Sequence, residues 1–104
     1  MTGSDEKTAS LLAAVWQRNR GLVEERLLLL DHAAAMAEAG TLTDGLRREA
    51  CSVAHKLAGS LGMYGYDEGT RIAREMEVLL GEAAPDAVLL GDLVRQLRKA
   101  IFPE

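Results

Sequence analysis

His55 is the residue of this sequence whose neighbours most clearly point to chemistry. A neutral imidazole is a competent nucleophile near pH 7, because the ordinary pKa of the free ring is about 6.5. On a helix, residues three, four and seven positions away lie near one another on one side. Apart from Arg48, seven positions before His55, the residues at those spacings are all small: Cys51, Ser52, Ala58, Gly59 and Gly62. The pattern predicts an exposed imidazole that another molecule can approach closely.

Gly59 and Gly62 are predicted to lie inside the same helix as His55. A glycine inside a helix is less favourable than alanine by about 0.8–1 kcal/mol, so these residues are not explained by helix stability. Their absence of side chains would let the backbone of another protein come close to the imidazole. The spacing of these glycines with Gly65 does not predict a nucleotide loop, because it lacks the terminal Gly-Lys-Ser/Thr and follows no strand.

A metal site is a weaker interpretation of the same segment. Cys51 and His55 lie four residues apart and could face one ion. Zinc sites use three or four protein ligands, however, and only His32 and scattered carboxylates remain to complete such a set. We therefore predict no metal site. His32, which follows Asp31, has no comparable surround of small residues and is predicted to be an ordinary surface residue.

The first third of the chain shows the helical period in its apolar residues. A first helix is predicted from near Thr8, with Leu12, Val15 and Trp16 on one side. Gly21 either kinks this helix or ends it. The next helix has apolar residues at alternating spacings of four and three, and Gly40 is its predicted end. These residues are Val23, Leu27, Leu30, Ala34 and Ala37.

Three further helices are predicted from caps and apolar stripes. The helix of His55 should begin after the N-cap Thr43 and stop near Gly65. Asp67 is the predicted N-cap of the following helix, which should close at Gly81. Pro85 suits the first turn of the last helix. The stripes predicted to be buried are Leu46, Ala50, Val53, Leu57, Leu61 and Tyr64, then Ile72, Met76, Leu79 and Leu80, then Leu90, Leu93, Leu97 and Ile101.

Short loops between these helices make sequence neighbours antiparallel. The predicted fold is all-α: an antiparallel up-down four-helix bundle with an additional N-terminal helix. Residues 1–7 are predicted to form a flexible tail, and residues 8–104 the bundle domain.

Composition excludes several classes of function. The 104 residues contain 12 basic and 16 acidic side chains, a formal net charge of −4, so no global basic surface for nucleic acid is present. One cysteine excludes an internal disulfide and fits a reducing cytoplasm. The leucine run at residues 27–30 is far shorter than the roughly 18 apolar residues of a membrane span. We expect a soluble, cytoplasmic monomer without a signal peptide.

The run H-K-L-A-G-S-L-G at residues 55–62, which continues to Gly65, resembles the signature of histidine-containing phosphotransfer (HPt) domains. Those domains have the pattern H-x-[LI]-x-G-[SAG] and a further glycine near the helix end. The resemblance extends over nearly the whole chain, because HPt domains also have this length, this helical bundle and a histidine on an inner helix. One position departs from the family: many members have lysine three residues after the histidine, where this chain has Ala58.

The resemblance implies that His55 accepts a phosphoryl group from the aspartate of a receiver domain and passes it to another receiver. Lys56 would assist the phosphate, Gly59 would permit close approach, and Arg48 would steer towards an acidic partner. The expected docking surface consists of Arg48, Cys51, Ser52, Ala58, Gly59 and Gly62.

The same resemblance implies a phosphoryl carrier rather than an enzyme. The chain would need no cofactor of its own, because Mg²⁺ is expected on the receiver. Response-regulator receivers and a hybrid histidine kinase are the implied partners, with no nucleic acid or membrane involved. Arg71 and Arg74 are either surface charge or a border of the docking surface. The alternative function is a helical adaptor or dimerisation module that keeps the scaffold without phosphorylation.

Overall fold

Four α-helices make up most of the chain. The structure is a computed structural model that describes the backbone of residues 2–103 and the side chains of residues 6–103. The helices are α1 (Thr2–Glu38), α2 (Asp44–Leu61), α3 (Asp67–Leu80) and α4 (Ala87–Ile101), and a 3₁₀ turn over Gly62–Tyr64 follows α2. The prediction of an all-α bundle is confirmed.

The predicted N-terminal helix is the first part of α1 rather than a separate element. Gly21 does not end the helix, which runs without interruption from Thr2 to Glu38. Glycine weakens a helix only by about 1 kcal/mol, and no proline or left-handed residue is present here to break it. The helix also begins before the expected start near Thr8. Met1, in the predicted tail, and Glu104, the last residue of the predicted domain, lie outside the described residues, and the flexibility of residues 1–7 stays a prediction.

The ends of α2 follow largely from local hydrogen bonds. Thr43 is the N-cap, since its hydroxyl accepts a hydrogen bond from the backbone N–H of Leu46 at 3.2 Å. At the other end the α-helix stops at Leu61, so Gly62 begins the 3₁₀ turn instead of lying inside the α-helix as predicted. Gly65 then adopts a left-handed conformation with φ of 83°, which reverses the chain towards α3.

Pro85 lies just outside α4, not in its first turn. Asp86 is the N-cap and accepts a hydrogen bond from the backbone N–H of Leu89 at 3.0 Å. An aspartate cap satisfies the free N–H groups of the first turn, and the helix therefore begins at Ala87.

The four helices form a ring around one core, in which α1 contacts α2 and α4, and α3 also contacts α2 and α4. Most of the predicted stripes are buried in this core, with the leucines at positions 27, 30, 57, 61, 80, 90 and 97 fully enclosed. Trp16 closes one end of the bundle, with its ring 5.2 Å from Tyr64, 5.1 Å from Tyr66 and 5.9 Å from Phe102. Leu12, one turn earlier on α1, is 39% exposed.

Candidate functional site

Helices α2 and α3 are antiparallel, and several contacts fix how their residues face each other. Near the start of α2, Nη1 of Arg47 donates a hydrogen bond to the carbonyl oxygen of Leu80 at 2.8 Å. Near its end, a Cβ built on Gly62 would lie 3.5 Å from Oγ1 of Thr70. His55 lies between these two contacts, on the exposed side of the helix pair.

The imidazole of His55 is both exposed and oriented. Its side chain is 72% exposed, and Nδ1 lies 2.8 Å from Oε2 of Glu77 on α3. An ionised carboxylate only accepts hydrogen bonds, so the proton of this pair is on Nδ1 when Glu77 is charged. In the neutral ring the lone pair is then on Nε2, the nitrogen that Glu77 does not occupy.

Glu77 is the residue of this site that the sequence analysis missed. It follows His55 by 22 positions and is partly exposed, with 34% of its side chain accessible. The signal that could have found it is the left-handed Gly65 turn, which lies about midway between the two residues. In an antiparallel helix pair, positions about equally far from the turn face each other, so an acidic residue there was a candidate partner.

The side of α2 that carries His55 is open where the glycines lie. Gly59 and Gly62 are both exposed. A Cβ added at Gly59 would meet no described atom within 4 Å, so packing does not require glycine there. At Gly62 the added Cβ would make an ordinary van der Waals contact with Thr70. Ser52 is exposed as well, one turn before His55.

Ala58 and Cys51 were predicted to lie on this open surface, and that prediction is wrong. Ala58 is only 6% exposed and belongs to the core. Cys51 is half-buried, and its thiol lies within hydrogen-bonding distance of the carbonyl oxygen of Glu77, at 3.4 Å. The physical reason is that α3 packs on the side of α2 that these two residues occupy. Spacing along one helix does not tell which edge a neighbouring helix covers.

Three cations around the site have no acidic partner. Arg48, Lys56 and Arg74 are exposed and form no ion pair with any residue of the described range. Arg71, by contrast, is bound on its own helix by Glu68 and Glu75. Its hydrogen bonds lower the pKa of Glu68 below the ordinary value and raise that of the Arg71 guanidinium.

Within the described part of the chain, no cluster of three or more His, Cys, Asp or Glu side chains could hold a metal ion. Cys51 and His55 are therefore not joined there by a third ligand of these types. Among the same residues, no helix has the length and apolar character needed to cross a membrane.

Comparison with known proteins finds a matching family model and a related protein. The model of the family described as Hpt domain matches residues 14–101, which is most of the chain. Protein RcaC of Microchaete diplosiphon is 31% identical over 78 residues, a match that covers 75% of this chain and 12% of that relative. The chain thus spans only a small part of the length of this relative. No solved structure gives a significant match.

Proposed function

This chain belongs to the Hpt domain family, whose members carry phosphoryl groups in phosphorelays without a kinase active site of their own, and on that premise we propose that His55 is its phosphoacceptor. The chain takes the phosphoryl group from the aspartate of one receiver domain and delivers it to the aspartate of another. The observation that carries this proposal is the exposed imidazole of His55 with Nδ1 bound to Glu77 and Nε2 free.

The chemical step uses the free ring nitrogen. The Nε2 lone pair attacks phosphorus, an N–P bond forms, and the P–O bond to the receiver aspartate breaks. The aspartate carboxylate leaves with the electron pair of that bond. The phosphorylated ring keeps its proton on Nδ1 and becomes positively charged, and the carboxylate of Glu77 stabilises that charge from 2.8 Å. Delivery to the next receiver reverses these steps.

Approach of the receiver depends on the open side of α2. Phosphoryl transfer mainly requires in-line positioning and neutralisation of charge. Gly59 and Gly62 have no side chains to obstruct the receiver, so its concave acidic pocket can enclose the imidazole ring of His55. In this proposal Lys56 assists the phosphate and Arg48 steers the acidic partner. Mg²⁺ belongs to the receiver, and the chain holds no cofactor of its own.

The test is phosphoryl transfer from a panel of phosphorylated receiver domains to the purified chain. We expect label on the parent chain, none on His55→Gln, and normal labelling of His32→Gln, which serves as the matched control. The bond formed should be acid-labile and alkali-stable, as a phosphoramidate is. If the parent chain folds but no donor labels it, or if His55→Gln is labelled equally, the proposal is wrong. Retained partner binding without any labelling would instead favour a helical adaptor or dimerisation module.

A further inference from the structure

A phosphoryl group on His55 would place negative charge next to a carboxylate. It brings about −1.5 to −2 charges at neutral pH and arrives beside the carboxylate of Glu77. At the position three residues after His55, where many family members have lysine, this chain has Ala58, whose side chain is buried and uncharged. Positive charge on the α3 side of the imidazole therefore has to come from another part of the chain.

The pairing of α2 with α3 places one cation on that side. His55 faces Glu77, and Gly62 faces Thr70. Arg74 lies between Thr70 and Glu77 on α3, one helical turn from the residue that holds the imidazole. It therefore stands beside the stretch of α2 that contains Gly59.

No carboxylate of the described residues holds the side chain of Arg74. Its side chain is exposed and forms no ion pair with the described residues, whereas Arg71 is held by two carboxylates of its own helix. The open space above Gly59 leaves room between Arg74 and His55, since no described atom lies within 4 Å of a Cβ added there. An arginine whose guanidinium has no carboxylate partner can bind a phosphate through two parallel hydrogen bonds.

We infer that Arg74 binds the phosphoryl group on His55 from α3 and supplies, across the helix pair, the charge that Ala58 does not. This inference rests on the proposed function of His55. The phosphoryl group then lies between Lys56 of α2 on one side and Arg74 of α3 on the other. Arg74 stabilises the phosphorylated chain and the transfer step, but takes no part in forming the N–P bond.

The test measures charge directly on the phosphorylated chain. The parent chain, Arg74→Gln, Arg74→Lys and the control Arg71→Gln are phosphorylated with potassium phosphoramidate, and the second pKa of the phosphoryl group is measured by ³¹P NMR titration. A nearby cation lowers that pKa, so Arg74→Gln should raise it by about 0.5 pH units, the size expected for an exposed ion pair. Arg74→Lys should restore most of the difference, and Arg71→Gln should match the parent chain.

The same variants are then used as phosphoryl acceptors from a phosphorylated receiver domain. Arg74→Gln should accept about fivefold more slowly than the parent chain and Arg74→Lys at nearly the parent rate. A phosphoryl pKa and an acceptance rate in Arg74→Gln equal to those of the parent would overturn the role of Arg74 and leave His55 as the phosphoacceptor. If the parent chain carries no phosphoryl group on His55 from either donor, the proposed function and this inference both fail.

Discussion

At the scale of single residues, the pairing of His55 with Glu77 decides which ring nitrogen can react. Exposure alone would leave both nitrogens open and the ring free to turn. The contact of 2.8 Å between Nδ1 and the carboxylate fixes the ring and leaves Nε2 for the partner. In the proposed function, Glu77 is therefore a positioning residue, which acts on the phosphoryl group through the imidazole.

Replacing Glu77 by alanine should slow phosphoryl transfer about tenfold, because a charge-assisted hydrogen bond is worth about 1.5 kcal/mol. Glu77→Gln should recover part of the rate, since its amide oxygen still accepts from Nδ1. Single-turnover transfer from a phosphorylated receiver measures the rates, and ¹⁵N NMR of the imidazole reports the tautomer. The account requires the Nδ1–H tautomer in the parent chain and a mixture in Glu77→Ala. An unchanged tautomer and rate in Glu77→Ala would contradict it.

The sequence predicted the exposure of His55 but only part of its surroundings. An exposed His55 beside Gly59 and Gly62 follows from helical spacing and is what the structure shows. Glu77 was out of reach of that reasoning, because it lies on another helix and its position depends on how α2 and α3 face each other. The burial of Ala58 was missed for the same reason.

At the scale of helices, capping residues and glycines predicted several helix ends correctly, but they did not predict that α1 is one continuous helix. Thr43 caps α2 as its sequence pattern indicates, and Gly65 reverses the chain where expected. Gly21 was given weight as a possible break, but a glycine weakens a helix by only about 1 kcal/mol, and α1 continues through it. Pro85 was assigned to the first turn of α4 but lies two residues before Ala87, because Asp86 is the N-cap. Asp67, predicted as the N-cap of α3, is instead its first residue, since Tyr66 is at the cap position.

Substitutions at Gly21 and Gly59 can distinguish an effect on the stability of the fold from an effect on the approach of a receiver to His55. Both glycines lie inside α-helices, and a Cβ added at either meets no described atom within 4 Å. Changing each to alanine should therefore raise the free energy of unfolding by about 0.8–1 kcal/mol, measured by urea denaturation. Only Gly59→Ala should also slow transfer from a receiver, by about tenfold, because its methyl group obstructs the approaching backbone at a cost of roughly 1–3 kcal/mol.

Equal transfer rates for the two glycine variants would show that Gly59 is not kept for access. Loss of stability in Gly59→Ala would show instead that the glycine has a packing role. Either result would remove the reason for linking the open side of α2 to receiver docking.

At the scale of the whole molecule, the core and the site occupy different sides of the same helix. Leu57 and Leu61 are fully buried, while His55 and Gly59 on α2 are exposed. The ion pair between Asp31 of α1 and Arg98 of α4, at 2.5 Å, lies away from the α2–α3 pair. The bundle thus presents the exposed imidazole of His55 on the side of α2 that lies away from its buried leucines.

We accordingly expect a monomer in solution. Sedimentation equilibrium at micromolar concentration should give the 11.2 kDa mass of one chain, before and after phosphorylation. A stable dimer would contradict this expectation and would draw attention to the exposed leucines of α1, such as Leu11 and Leu28. A dimer formed only by the phosphorylated chain would mean that His55 lies in a self-contact.

The central claim is that His55 carries a phosphoryl group from one receiver to another. A pulse–chase experiment tests it most directly: the chain is labelled from a ³²P-phosphorylated receiver, separated from the donor, and mixed with a second, unlabelled receiver containing Mg²⁺. The account predicts that label leaves His55 and appears on the aspartate of the second receiver, with no label passing through His55→Gln. Label that stays on the chain with every receiver, or that appears only as inorganic phosphate, would contradict the claim.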